Sequence, residues 1–502
     1  MVKSFFASFF PKKEDAYLPP CLLLLLLPLL MVSIPPLHDY PFHLARTAIL
    51  AGMGDQYYVA ISFLLPNVGM DVVMLGLARL LPIEVAGRVF LCLVLALGLS
   101  GTVALHRALH GGRGLWPLAA GFALYNFVFF LGFLNYLLGM GLALWAAAFW
   151  VWARPVGLRL AGGTVAAVGL LFCHLSALGV FALVVAGVEL HRAWGSRSLG
   201  VLLASAGPFA VAGAALVLLS PAAGEAGQPL FWQAGWSWKP VMAVRMLMTP
   251  IPWLDAATLL PPAGFVALAL WRGWLRLAPA MGVALGLLGV AYLAMPFGIF
   301  GSEWGDARLP PAILCVAIAG MRLDLPGRLV RPVVLAAVLL LAGRMGAIAA
   351  VWREDAARIE VVRAALERVP EGATLWVATA GPFPRVRERD AGQLARWHPP
   401  MKHLVSLAGL HRPVFVPATW ADPFKQPMRV APAFAAAKAL QGDNPVLVPD
   451  AAALGAFVGR IGALGGRGDH LLLLSPALLT GELPAGVGVL AADAEFLLLR
   501  LP

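Results

Sequence analysis

Residues 17–36, YLPPCLLLLLLPLLMVSIPP, run directly into His38-Asp39-Tyr40-Pro41-Phe42-His43-Leu44-Ala45-Arg46. An apolar run of about 20 residues is long enough to cross the hydrocarbon core of a bilayer as a helix. The cluster that follows places acid, imidazole and guanidinium groups where such a helix leaves the membrane. Charge is costly inside lipid, so a dense charged cluster at a membrane boundary marks a functional site. The apolar run has no small-residue cleavage site before His38-Asp39, so it reads as a retained first helix and not as a signal peptide.

Composition extends this reading to the whole chain. Of 502 residues, 60% are hydrophobic and only 13% are charged, with a mean hydropathy of +0.83. These values lie outside the range of soluble globular chains and imply a polytopic membrane protein. The formal net charge of +11 follows from cytoplasmic arginines in the membrane half and does not indicate nucleic-acid binding.

Hydropathy predicts about 11 transmembrane helices, at 17–36, 84–106, 115–133, 136–153, 160–174, 176–190, 198–220, 257–271, 277–296, 308–321 and 331–350. A cytoplasmic N-terminus puts Arg107, Arg113, Arg154, Arg159, Arg192, Arg197, Arg272, Arg276, Arg322, Arg328 and Arg331 inside, as the positive-inside rule requires. Residues 160–190 admit one long helix or two short ones breaking near Cys173-His174. The arginine pairs at both ends favour two crossings or a re-entrant hairpin.

The domain organisation expected is a membrane domain over 1–350, with a long first exterior loop at 37–83, followed by a soluble exterior domain over 351–502. The later part reads as α/β or α+β. An amphipathic helix is expected at 354–368, strands at 373–379, 413–417, 445–448, 470–474 and 496–499, and helices near 429–440 and 451–464. The first loop carries Asp55, Asp71 and Arg79 besides the opening cluster, with apolar runs suited to helices lying in the interface.

The four cysteines, Cys21, Cys92, Cys173 and Cys315, fall in apolar segments, which points to no disulfide framework and no thiolate metal site. The sequence contains no Walker motif, dinucleotide fingerprint or zinc-protease motif, which argues against a primary pump. Candidate site residues instead collect on the predicted exterior face: Asp39, His43 and Arg46 in the first loop, Glu303, Asp306 and Arg308 in GSEWGDARLPP at 301–311, and Lys239 and Arg245 between them. Trp232, Trp236 and Trp238 add rings that stack on sugars or form an interfacial belt.

This arrangement resembles the GT-C class of membrane glycosyltransferases, which includes protein O-mannosyltransferases, lipid A aminoarabinose transferases and the catalytic subunit of oligosaccharyltransferase. HDYPFHLAR is similar to the first-loop acid motif of bacterial members, and GDARLPP is similar to the Arg-Pro element that opens a late helix. Where many members carry two adjacent acids in the first loop, this chain has His38-Asp39.

The resemblance implies an inverting transfer of sugar from a polyprenyl-phosphate donor to a lipid, glycan or protein acceptor at the periplasmic face of the bacterial inner membrane. Asp39 would then be the general base. His43, Arg46, Lys239, Arg245, Glu303, Asp306 and Arg308 would bind substrate, the cations among them holding the lipid phosphate. His43 lies four residues after Asp39, so on a helix both share a face and could hold a divalent metal. Otherwise Asp39 would act as a helix cap. Two other classes fit the same sequence: a transporter or flippase of a lipid-linked substrate, and a catalytically silent assembly subunit. No nucleic-acid partner is expected.

Overall fold

The computed structural model describes residues 17–61, 64–111, 114–196, 199–220, 230–232, 237–249, 251–299, 302–381, 401–466 and 468–502. Trp236 and the arginines Arg385, Arg387, Arg389 and Arg396 lie outside them. The chain divides into two compact units. The first comprises residues 1–31, 64–72 and 89–350, and the second comprises 32–63, 73–88 and 351–502.

The first unit is helical, as its hydropathy demands. Seven helices among the described residues are long and apolar enough to cross a membrane: Ile83–His110, Leu134–Trp152, Val156–Cys173, Leu175–Gly195, Leu199–Leu219, Pro252–Trp271 and Gly327–Leu366. Shorter apolar helices include Leu18–Leu30, Pro279–Ala294 and a broken segment over Trp116–Leu131. The 115–133 segment breaks because Asn126 leaves helical geometry and caps the next turn, its side chain accepting from Phe129 N at 3.0 Å. The 160–190 stretch is two helices, Val156–Cys173 and Leu175–Ser196, separated by extended backbone at His174.

Small residues set the close approaches in this unit. Helix Leu175–Ser196 packs on Pro279–Ala294, and a Cβ added at Gly187 would lie 2.5 Å from Ala284 backbone atoms. Without a hydrophobic effect to drive helices together in lipid, such intimate packing is a main source of association. Gly187→Ala should therefore destabilise by roughly 1–3 kcal/mol. Gly179→Ala, on the same helix with open space around it, should be neutral or slightly stabilising. Thermal melting of the two purified variants checks the contrast, and equal melting temperatures would refute it.

The second unit is built on a five-stranded sheet with strand order Val446–Leu447, Leu375–Thr379, His470–Leu474, Phe496–Arg500, Gly488–Ala492. The first three strands are parallel and the last two join antiparallel. Leu375–Thr379 and His470–Leu474 are buried at every position, the pattern of strands covered on both faces. Helix Ala451–Ala463 starts where the Asp450 carboxylate accepts from Ala453 N at 2.7 Å. It buries Leu454, Phe457 and Ile461 into the same core as Trp376, Leu471, Leu473 and Leu499.

Three expectations for this unit need correction, the first being the strand at 413–417, where only Phe415 makes an isolated bridge, to Thr374. The helix expected over 429–440 begins later, at Ala435–Gln441. Met428–Val430 is instead a strand, paired antiparallel with Tyr58–Ala60 of the first loop. Gly488–Ala492, a strand the sequence reading missed, closes the sheet edge. In addition, the expected helix at 354–368 is no separate element, because Gly327–Leu366 is one helix of 40 residues.

Candidate functional site

In the second unit, Asp39 stands immediately before the Tyr40–Leu50 helix, with Pro41 in its first turn. Pro41 favours a start there because its fixed φ suits the first turn, where no intrahelical N–H bond is lost. The backbone of Asp39 opens the helix by accepting from His43 N at 3.1 Å, but its side chain makes no capping bond. The carboxylate is therefore committed elsewhere. Its Oδ1 lies 3.5 Å from His403 Nε2 and 4.0 Å from His38 Nε2.

An aromatic wall surrounds this group. His403 meets Trp420 edge-on at 4.8 Å between centroids and His38 edge-on at 5.0 Å. Phe42 lies 4.9 Å from Trp420, and the Arg46 guanidinium sits 5.3 Å over the Phe42 ring. Asp39, His43, Arg46 and His403 are all buried. Asp39, His43 and Arg46 follow the spacing of one helix face. Burial, with Lys402 adding repulsion, pushes the His38 imidazole down to about 3. Burial and the neighbouring His38 hold His403 well below the usual imidazole range. Both rings are therefore neutral at pH 7.

The remaining candidates lie in the first unit. Asp306 sits in a 3₁₀ turn, Asp306–Arg308, that feeds helix Leu309–Gly320. The turn is tight: Trp304 has φ 64, and a Cβ at Gly305 would come within 2.9 Å of the Pro296 carbonyl oxygen, so only glycine fits without displacement. Lys239 Nζ binds Asp306 Oδ2 at 2.5 Å and donates to Met295 O at 2.6 Å. Both residues are buried, so the lysine charge is largely met by Asp306. Arg308 donates to Trp304 O at 2.7 Å and to Glu303 O at 3.3 Å, while its guanidinium lies 4.7 Å over the Phe133 ring. Tyr136 donates to the Arg308 carbonyl. Arg245 stacks on Trp238 at 4.8 Å, and Glu303 is exposed. Asp39, His43 and Arg46 thus belong to one unit, and Lys239, Arg245, Glu303, Asp306 and Arg308 to the other.

The 13% and 14% identities to two solved structures carry no weight as sequence, yet the backbone alignment spans almost the entire chain. One is ArnT from Cupriavidus metallidurans bound to undecaprenyl phosphate, with a TM-score of 0.56 over 97% of this chain and 98% of the other. The second is the apo state of the same protein, with a TM-score of 0.52 over 95% and 96%. The chain has an ArnT-like fold. No protein-family model matches the sequence, and no curated protein matches it either.

Sequence reading missed two groups within this ArnT-like fold. His403 follows Lys402 in a stretch with no motif, and only folding brings it to Asp39. The pair Arg344 and Asp255, 2.8 Å apart, is almost wholly buried in the first unit. An arginine within an apolar helix is the signal that could have found it.

Proposed function

We propose that this chain is a membrane glycosyltransferase that takes a sugar from a polyprenyl-phosphate donor. The observation that carries the reading is the Asp39 carboxylate, buried and uninvolved in capping, at the start of the helix after the first apolar segment of an ArnT-like fold. The undecaprenyl phosphate held by the solved ArnT supports a donor of that chemistry.

In the proposed reaction Asp39 accepts the proton of an acceptor hydroxyl as its oxygen attacks the anomeric carbon. The bond from that carbon to the phosphate oxygen breaks, and its electron pair leaves with the polyprenyl phosphate. Attack opposite the leaving group inverts the anomeric configuration. Arg46, in the same unit as Asp39, is the cation proposed to stabilise the phosphate as charge develops on it. Lys239, paired with Asp306, would act in holding the Asp306–Arg308 turn in place, and His43 in orienting the acceptor.

The proposal places residues 1–350 as the membrane domain and 351–502 as a periplasmic domain. The N-terminus would be cytoplasmic, in a bacterial inner membrane, as the arginine distribution requires. Purified protein supplied with radiolabelled polyprenyl-phosphate sugars and an envelope lipid extract should release polyprenyl phosphate and label an acceptor. Failure both to turn over and to bind any donor would overturn the reading.

A further inference from the structure

We propose that a short antiparallel ribbon in the first unit, Leu275–Leu277 paired with Met321–Leu323, binds the phosphate of an anionic phospholipid between Arg276 and Arg322. Its place in the chain sets it at the membrane boundary. The two strands follow the ends of the apolar helices Pro252–Trp271 and Leu309–Gly320, and they lead into Pro279–Ala294 and Gly327–Leu366. Four helices therefore begin or end at the ribbon. Trp271, 77% exposed, and the partly buried Trp274 flank it, and tryptophan favours the headgroup layer of a bilayer. The Arg272 guanidinium lies over both rings, at 5.0 and 5.8 Å.

The register of the ribbon sets Arg276 directly opposite Arg322. Directly opposed residues on a ladder have Cβ atoms about 4.5–5.5 Å apart, where like charges repel. Little on the protein offsets that repulsion. Segments 271–279 and 321–331 carry Arg272, Arg276, Arg322, Arg328 and Arg331, all exposed, against the single acid Asp324. Asp324 accepts from Arg322 Nε at 3.0 Å, and the Gly273 carbonyl accepts from Arg276 Nε at 3.3 Å. Both guanidinium groups are thus held by Nε. Their terminal nitrogens make no hydrogen bond within the protein among the described residues.

A positive-inside bias asks for cations on one side of the membrane and gives no reason to oppose two of them on a ladder. A phosphate diester gives one. Each of its two non-bridging oxygens accepts from one guanidinium fork, and its charge cancels the repulsion. The ribbon lies at headgroup depth, and the exposed Leu277 and Trp271 beside it offer apolar surface to acyl chains. Both features favour a lipid phosphate over a soluble one.

The site stands independently of sugar transfer, so its test does not use activity. Full-length protein in detergent would be titrated with phosphatidylglycerol, or with phosphatidylcholine as the neutral lipid, and followed by native mass spectrometry and thermal melting. Wild type should bind about one phosphatidylglycerol per chain, with a preference of roughly tenfold over phosphatidylcholine, and melt at a higher temperature with it. Arg276→Gln/Arg322→Gln should lose both the preference and the shift, yet melt no lower than wild type without lipid, because the repulsion is gone. Arg328→Gln/Arg331→Gln, which removes as much charge from the neighbouring helix start, should keep both. Should the first double variant not fold, Arg276→Gln alone should lose most of the preference. Equal losses in the two double variants, or wild type without any preference, would overturn the proposal. So would inorganic phosphate that stabilises wild type as far as the lipid does.

Discussion

Asp39→Asn should fold and insert normally yet lose sugar transfer by a factor of about 10²–10⁴, the range supplied by a positioned general base. Asparagine keeps the size and planarity of the side chain. Its carboxamide cannot take a proton from an attacking hydroxyl. Because the Asp39 side chain makes no capping bond, the substitution removes no helix-start contact, and the melting temperature should change little. The measurement is initial transfer rate at saturating donor, with donor binding followed separately. Retained binding with lost turnover identifies a role in chemistry. Transfer within a few-fold of wild type would remove Asp39 from the reaction and favour a scaffold role.

Arg344→Leu should be among the most damaging single changes for stability, at roughly 3–5 kcal/mol, because it leaves a buried carboxylate without its cation. Arg344 is fully buried and Asp255 nearly so. Asp255 Oδ2 also accepts from Thr249 N at 2.8 Å and Thr249 Oγ1 at 3.1 Å, while Arg344 donates to Thr258 Oγ1 at 2.8 Å. One substitution therefore disturbs a connected set of polar groups. The double variant Arg344→Leu/Asp255→Leu should regain much of the loss, since replacing both charges with apolar groups removes the uncompensated one. Melting curves for the wild type, the two singles and the double check this. Additive losses in the double variant would show that the two side chains act independently.

Hydropathy made the membrane helices legible, because lipid demands long apolar runs with internally satisfied backbones. It was less informative about where helices end. Arg353, Glu354 and Asp355 mark the end of the apolar run, but Gly327–Leu366 continues through them, since charged residues form helix as readily as leucine does outside lipid. The break near Cys173-His174 was visible as a polar interruption. The strand at Met428–Val430 was not, because three residues are too few to show alternation and its partner is Tyr58–Ala60.

The candidate site was half legible. Asp39 announced itself as an acid at a membrane boundary, and Arg308 as a cation at the start of an apolar helix. His403 gave no such signal, because a lone imidazole in a mixed sequence acquires meaning only from what it touches. Lys239 and Asp306 were both singled out, but as separate substrate contacts. Their mutual ion pair depends on a turn whose shape is set by Trp304 and Gly305.

The hydrogen bond from Tyr58 to the Val416 carbonyl joins residues 358 positions apart, and the pairing of Tyr58–Ala60 with Met428–Val430 bridges a similar interval. Synthesis proceeds from the N-terminus, and contacts distant in sequence are slow to form. The segment bearing Asp39 must therefore wait, incomplete, while the intervening helices are made and inserted. Its partners His403 and Trp420 emerge only after those helices. A nascent chain interrupted after its membrane helices would hold the carboxylate without the histidine opposite it. The site is thus assembled only after the membrane helices between its two halves have been made.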